Sequence, residues 1–404
     1  TLLVYKLVQQ IIFFLEIKSN RNTFSLFSWP YFTALIFALH PLSTQSVTYI
    51  SSRSSILATI FYILTLNFFF KGFYEREFNG KSGVIYFLGS FLFFLLGGLT
   101  KEIIITLPAA LFIFHFYFIW EKSFKKWISV NGKWVLLLLI PILAVVGYKQ
   151  IIEEGFLSAS EAKLSSSSWL LTQTSVVPFE YFRKYFFPFN LNLDVNFPIL
   201  IDWLNPKNWL GMFSLGIIII IWVRISAGIE KKTYWEMEKR CAGFGLAWIF
   251  LTLLPTSSFI PLLDAVMEHR TYLPLVGFAL VMASIFSWVY LTCLKVNQKK
   301  VLEFSIHLGI ILVLILFSLI AIDRNKVWKD EFTLWTDAKN KSPSLTRPYN
   351  NLGQAYDKIG NYDQAIIEFQ QALKINPNYF FGLNNLGNIY GKQRKYEEAI
   401  NYFR

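Results

Sequence analysis

Long apolar runs alternate with short polar clusters from Thr1 to about Ile322. A helix needs roughly 20 mostly apolar residues to cross a bilayer. Runs suited to that stand at 1–17, 29–41, 54–73, 83–100, 103–120, 134–149, 209–224, 242–258, 272–293 and 303–322. The pattern predicts about ten spans. The second ends at His40-Pro41, where proline stops a helix. Thr1 lies inside an apolar run and no signal peptide is visible, so the chain is expected to begin within a longer protein.

The pattern changes at Asp323, where an internal repeat of 34 residues takes over. Asn351, Leu352, Gly353, Tyr356, Tyr362, Ala365, Ile366 and Phe369 recur as Asn385, Leu386, Gly387, Tyr390, Tyr396, Ala399, Ile400 and Phe403. That is the tetratricopeptide (TPR) spacing, two antiparallel helices per unit. Gly353 and Ala365 are small where the helices cross, and Tyr356 and Phe369 fill the space between them. Trp335, Ala338 and Pro343 form a preceding half-unit in register with Phe369, Ala372 and Pro377. The repeat is expected to continue past Arg404, because stacked units need caps. The predicted fold class is all-α: a polytopic helical membrane domain over 1–322, with a long extracytosolic loop at 150–208, then an α-solenoid of TPR helix pairs. The solenoid divides into a half-unit at 325–345, a repeat at 346–379 and a partial repeat at 380–404.

Composition agrees with this pattern. Apolar residues make up 54% and charged residues only 16% of the chain, where soluble proteins carry about 25% charged. A soluble multidomain enzyme and a disordered chain are excluded on that ground. The net charge of +12 reads as orientation and not as nucleic-acid binding. If the loops alternate, one set holds 17 Lys and Arg residues, from Lys18 and Arg21 through Arg240 to Lys299 and Lys300. The opposite short loops hold only Arg53, Lys101 and Arg270. The positive-inside rule puts the first set in the cytoplasm, and the 150–208 loop and the repeat tail outside it. Cys241 and Cys293 are too few for a disulfide framework or a zinc site of CxxC type, and no metal ligands are assigned. Nucleotide-binding glycine motifs, HExxH and GxSxG are all absent.

Ionisable residues at membrane depth are functional candidates by default. Here they gather at outer helix ends: His40 to Gln45 and on to Arg53; Thr100-Lys101-Glu102; Arg183-Lys184 with Asp194; and Asp264 with Glu268-His269-Arg270. Convergence of these clusters would make one polar cavity, with His40, Gln45, His269 and Tyr272 in its wall. Arg53, Lys101 and Arg270 are the candidate binders of a lipid-linked phosphate. Glu102, Asp194 and Glu268 are the candidate carboxylates for sugar hydroxyls, a metal or a substrate proton. Arg183-Lys184 lies on the aromatic stretch Phe179 to Phe189, which reads as an interfacial amphipathic helix. In the tail, Asn350 and Asn384 are one repeat apart and are predicted to form an amide ladder. Gln354 and Asn388 lie on the same face, which would hold an extended polypeptide through its backbone. Asn340-Lys341-Ser342 is a formal glycosylation sequon.

These segments resemble the transmembrane and TPR-repeat protein family. The resemblance rests on His40-Pro41-Leu42-Ser43-Thr44-Gln45-Ser46-Val47 with Arg53, Thr100-Lys101-Glu102, Tyr181 to Asp194, Leu254-Pro255-Thr256-Ser257, and Glu268-His269-Arg270-Thr271-Tyr272-Leu273-Pro274, all followed by the repeats. That family is similar to GT-C glycosyltransferases. The resemblance implies transfer of a sugar, mannose in the animal members, from a polyprenyl phosphate to Ser or Thr of a polypeptide held by the TPR groove. It also implies a catalytic acidic motif in the first extracytosolic loop, which is expected upstream of Thr1. Two positions depart from the family pattern: Gln45 stands where the family has Glu, and Ser52 where it has Gly. An amide cannot act as a general base. The Ile-, Phe-, Lys- and Asn-rich usage reads as bacterial, which implies a cytoplasmic membrane with a periplasmic tail. The endoplasmic reticulum membrane is the eukaryotic equivalent. The implied partners are membrane lipid, the polyprenyl-phosphate-linked sugar and the polypeptide. A cofactor is not required by this reading, and a divalent metal stays open. Two other readings stand beside it: a non-catalytic membrane-anchored TPR scaffold for envelope proteins, and a transporter or polymerase of lipid-linked sugars.

Overall fold

The computed structural model describes residues 1–19, 29–120, 126–130, 165–227, 235–258, 261–293 and 299–404. All regular structure among them is helical. In chain order the α-helices are Leu2–Ser19 (α1), Trp29–Leu39 (α2), Ser43–Thr48 (α3), Arg53–Phe78 (α4), Val84–Gly98 (α5), Leu107–Phe114 (α6), Ser166–Val176 (α7), Arg183–Phe186 (α8), Pro206–Ala227 (α9), Glu236–Leu253 (α10), Pro274–Cys293 (α11) and Lys299–Val327 (α12). The tail continues with Glu331–Lys341 (α13), Thr346–Lys358 (α14), Tyr362–Ile375 (α15), Phe380–Lys392 (α16) and Tyr396–Phe403 (α17). The expected span at 134–149 lies outside the described residues, and every other expected span falls on a helix. Among the described residues, five helical stretches are long and apolar enough to cross a membrane: Ile50–Phe78, Glu102–Ile119, Pro206–Ala227, Pro274–Thr292 and Lys300–Val327; α2 and α5 are shorter apolar helices. Only 6% of the most apolar stretch of α9 is buried, a surface suited to lipid and not to water. These helices are consistent with a multi-pass membrane protein.

Two expectations about helix ends and loops need correction. α10 begins ahead of the expected 242 and takes in Glu238 and Arg240, because both charges find partners. Arg240 donates to the Tyr117 carbonyl at 2.6 Å and pairs with Glu236 at 2.8 Å, while Glu238 accepts from the Ser287 hydroxyl at 2.9 Å. Arg240 is therefore a buried helix residue and not the free loop charge assumed in the orientation count. The described part of the 150–208 loop is also largely helical. Trp169, Tyr181, Tyr185 and Lys184 on it are buried, and Lys184 pairs with Glu180 at 2.9 Å. The stretch expected to lie as an interfacial helix thus buries Tyr181, Lys184 and Tyr185 and leaves Phe186, Phe187 and Phe189 exposed.

The described chain divides into two compact units. The first comprises Thr1–Pro188, Ile199–Ala265 and His269–Leu319; the second comprises Phe189–Pro198, Val266–Glu268 and Ile320–Arg404. In the first unit an edge-to-face series of rings runs from Phe14 through Phe70 and Phe114 to Phe244, with centroids 5.3 to 5.6 Å apart. Such pairs add to the area they bury, and they explain where the phenylalanine-rich composition is spent. α10 and α11 cross with almost no side chain between them. A Cβ on Gly245 would lie 2.6 Å from the Gly277 carbonyl oxygen, and one on Gly277 would lie 2.5 Å from that of Gly245. Close backbone approach through small residues is the usual means of holding helices together in lipid.

In the second unit the end of α12 is held to α13 by a 2.7 Å ion pair between buried Arg324 and Asp337. A capping box starts α13: Asp330 accepts from the Thr333 N–H at 2.8 Å, which draws its carboxyl below the usual range. The helix pairs α14/α15 and α16/α17 repeat one packing solution. A Cβ on Gly353 or on Gly387 would meet the ring of Phe369 or Phe403 at 2.6 Å, at positions one repeat apart. Ala365, Phe369, Leu386 and Ile389 form the core between them. The turn after α14 uses Gly360 at φ 77°, and its counterpart one repeat on is Arg394 at φ 60°.

Candidate functional site

The first unit brings together residues far apart in sequence. After α2 the chain turns at His40-Pro41, forms α3, passes through a 3-10 turn at Ile50–Ser52 and enters α4 at Arg53. Lys101, just before the 3-10 turn Glu102–Thr106, donates to the hydroxyl of Ser55 on the first turn of α4 at 2.7 Å. The 3-10 turn Glu268–Thr271 supplies His269 and Arg270, and Ser46 of α3 donates to the His269 carbonyl at 3.5 Å. Arg270 lies within electrostatic reach of Lys101, and both act on His269 together with Asp264.

The charge balance of this cluster is unusual. Lys101 is half-buried, and burial lowers its ammonium pKa; neighbouring Glu102 opposes that shift and Arg270 adds to it. Burial first, then Lys101 and Arg270, push His269 down to about 4, with Asp264 opposing. A neutral imidazole, kept so first by burial, thus stands within electrostatic reach of two cations. Arg and Lys are the usual ligands of phosphate oxygens. An incoming phosphate would relieve the repulsion between them.

Other expected members of the cavity have different roles. Arg53 is exposed at the start of α4, and Glu102 is exposed beside Lys101. His40 is fully buried: its Nδ1 accepts from the Leu42 N–H at 3.2 Å, so Nε2 carries the proton and donates to the Tyr185 carbonyl at 2.9 Å. It is a structural histidine that closes the turn, and burial pushes its pKa down to about 4 against the Tyr185 bond. Tyr272 packs its ring 5.2 Å from Phe37, and burial raises its phenol. Gln45 is buried, with neither amide atom hydrogen-bonded among the described residues.

Both histidines have depressed folded pKa values against an ordinary value of 6.5. The unfolded chain binds protons that the folded chain refuses between those values, so stability is lost as pH falls from 6.5 toward 4. The melting temperature is expected to drop over that window. His269→Asn is expected to flatten part of the drop, and an equal drop in that variant would exclude His269 as a contributor.

Asp194 and Glu268, expected at the catalytic site, fall in the second unit. Glu268 is buried and accepts the backbone N–H of Asn192 at 2.9 Å. Asp194 pairs with Arg347 of α14 at 2.9 Å. Around them, Asn192 donates its amide to the Asp194 carbonyl at 2.8 Å and to the Ser342 hydroxyl at 2.9 Å, while Ser342 donates to that same carbonyl at 2.7 Å. Lys341 reaches the Leu191 carbonyl at 2.8 Å. The extended segment 189–198 is therefore gripped through its backbone by the end of α13 and the start of α14. Asp194 does not share a unit with Arg183 and Lys184, with which the sequence pattern grouped it. The grip also accounts for Ser342 of the sequon: its hydroxyl is buried and engaged. Sequence spacing had no signal for these bonds, nor for Ser55 as the partner of Lys101.

The tail does not pair Asn350 with Asn384 as expected. Asn350 is buried and accepts from Asn385 at 2.9 Å, not from Asn384, so its Oδ1 is spent between repeats. Asp357 and Lys392 pair at 2.6 Å across the repeats, and Lys358 pairs with Glu331 at 2.6 Å. Gln354, Asn388 and Phe381 remain exposed, and Asn384 is half-buried. Among the described residues there is no cluster of three or more metal-ligating side chains.

Comparison with known proteins adds to this picture. The tetratricopeptide repeat family matches residues 347–379 and 368–401. A Caenorhabditis elegans protein O-mannosyl-transferase is 25% identical over 385 residues, covering 92% of this chain and 49% of the worm protein. The mouse protein O-mannosyl-transferase TMTC3 is 23% identical over 372 residues, covering 85% of this chain and 39% of the mouse protein. Drosophila melanogaster protein O-mannosyl-transferase Tmtc2 is 30% identical over 134 residues, covering 33% of this chain. The chain spans about half the length, or less, of these curated relatives. No solved structure matches. The chain thus carries tetratricopeptide repeats and is similar to protein O-mannosyl-transferases over most of its length.

Proposed function

We propose that this chain is part of a membrane glycosyltransferase that moves a sugar, mannose by analogy with its relatives, from a polyprenyl phosphate to a Ser or Thr hydroxyl. The observation that carries the reading is Lys101, seated on Ser55 at 2.7 Å and within electrostatic reach of Arg270 and His269, in a protein whose relatives are named for O-mannosyl transfer. In this reading the two cations hold the donor phosphate. They stabilise it more strongly as it leaves, because negative charge accumulates there as the bond to the sugar breaks. Ser55 holds the Lys101 ammonium in place, and its bond at 2.7 Å costs little reorganisation when the lipid arrives. Arg53, exposed on α4, adds positive charge on the approach. Glu102, exposed beside Lys101, and Asp264, which acts on His269, are the carboxylates we assign to orienting the sugar or acceptor.

The tail presents the acceptor polypeptide on its exposed polar and aromatic face, with Gln354, Asn388 and Phe381 as contacts in place of Asn350. The tail faces the periplasm of a bacterium, as the composition favours, or the endoplasmic reticulum lumen of a eukaryote. In the full-length natural protein, Lys101→Ala and Arg270→Ala are each expected to lower transfer from polyprenyl-phosphate mannose about 100-fold or more, the scale for losing one preorganised charge-stabilising contact. Transfer at the unmodified rate in both variants, with the proteins folded, would remove the phosphate role.

A further inference from the structure

Gln45 is placed where stability alone gives no reason for an amide. It is 2% exposed, and its Oε1 and Nε2 both lack hydrogen-bond partners among the described residues. A buried polar group without a partner costs free energy that an apolar side chain of the same size does not. His269 Nδ1 is idle and buried in the same way. The two residues stand on elements that meet: Ser46, next to Gln45 on α3, donates to the His269 carbonyl. His269 in turn stands in the field of Lys101 and Arg270. An unspent amide donor, an unspent amide acceptor and an unspent ring nitrogen therefore stand on two elements that meet, one of which also carries Arg270.

A sugar hydroxyl both donates and accepts. An amide complements it in both senses, donating its N–H to one hydroxyl and accepting the O–H of the next. Being neutral, it does so without placing negative charge near a phosphate. We propose that Gln45, with His269 Nδ1, is the hydroxyl-reading subsite for the hexose of a polyprenyl-phosphate-linked sugar, beside the phosphate held by Lys101 and Arg270. This rests on the donor assignment under Proposed function and deepens it. Gln45 is a binding residue: it orients the sugar and moves no proton.

The test uses the full-length natural protein in lipid nanodiscs, with undecaprenyl phosphate and undecaprenyl-phosphate mannose as probes. Two hydroxyl contacts are expected to favour the mannose-bearing lipid by about tenfold or more in Kd. In Gln45→Met that preference is expected to collapse, while the ligand-free variant melts at the same or a higher temperature, since an unsatisfied amide has been removed. The proposal is overturned if Gln45→Met keeps the preference, if the unmodified protein shows none, or if the variant melts lower, the mark of a structural glutamine. Lys101→Ala with Arg270→Ala separates the two readings. That pair is expected to weaken both lipids. If it weakens neither, the phosphate assignment fails and the subsite fails with it. If it weakens both while Gln45→Met retains the preference, only the subsite fails.

Discussion

Gly245→Leu is expected to abolish the packing of α10 against α11. The atom that a Cβ would meet at 2.6 Å is the Gly277 carbonyl oxygen, which is backbone, and Val281 Cγ2 follows at 2.8 Å. A side chain can rotate away from an intruder, but a helix backbone can only move as a body. The reciprocal approach from Gly277 blocks escape in the other direction. Overpacking in a core costs about 1–3 kcal/mol, and a clash with backbone on both sides belongs at or above the top of that range. Trp248, which donates to the Leu273 carbonyl at 2.9 Å across the same interface, would be displaced with it. Thermal unfolding in detergent should show Gly245→Leu melting far below the unmodified chain. Gly216→Ala on α9, where a Cβ meets nothing within 4 Å, should melt unchanged. Equal melting of the two variants would mean that the helices are not held at this crossing.

Glu268 offers the second large effect, and it distinguishes two roles. Its Oε1 accepts the Asn192 N–H at 2.9 Å in a buried place. Glu268→Ala leaves that N–H without an acceptor, at about 1–3 kcal/mol, and loosens the segment gripped by Ser342 and Arg347. Glu268→Gln keeps an oxygen that can accept the same N–H. A residue that holds the segment should therefore tolerate glutamine and fail as alanine, in both melting temperature and transfer. A residue that takes a substrate proton should lose transfer equally in both variants, because an amide is not a base at neutral pH. The geometry predicts the first pattern.

How much of this was legible in the sequence depends on the range of the interaction. The helices and the repeat follow from local periodicity, so Gly353 against Phe369 and its copy at Gly387 against Phe403 were readable from the spacing. The stop before His40-Pro41 was readable from proline's missing N–H. Lys101 and Arg270 were placed on one face by charge distribution, which reports topology but not distance. The errors lie where a partner is remote. Glu268 and Asp194 look like free acids in the sequence, yet the bonds that surround them join Asn192 to Ser342, 150 positions away. Asn350 was assigned to the groove because Asn384 is one repeat on. The buried inter-repeat seam instead pairs it with Asn385, a neighbour about 100° round the helix. Arg240 was counted as a loop charge because no sequence rule foretells that the Tyr117 carbonyl would accept from it.

The most direct measurement is binding of undecaprenyl phosphate to the full-length natural protein in nanodiscs, with and without Lys101→Ala and Arg270→Ala. The account predicts saturable binding that weakens with rising salt and is lost in the doubly substituted protein, while its melting temperature without lipid is retained. Binding that is absent from the unmodified protein, or equal in the two, would contradict the assignment of a lipid-phosphate site.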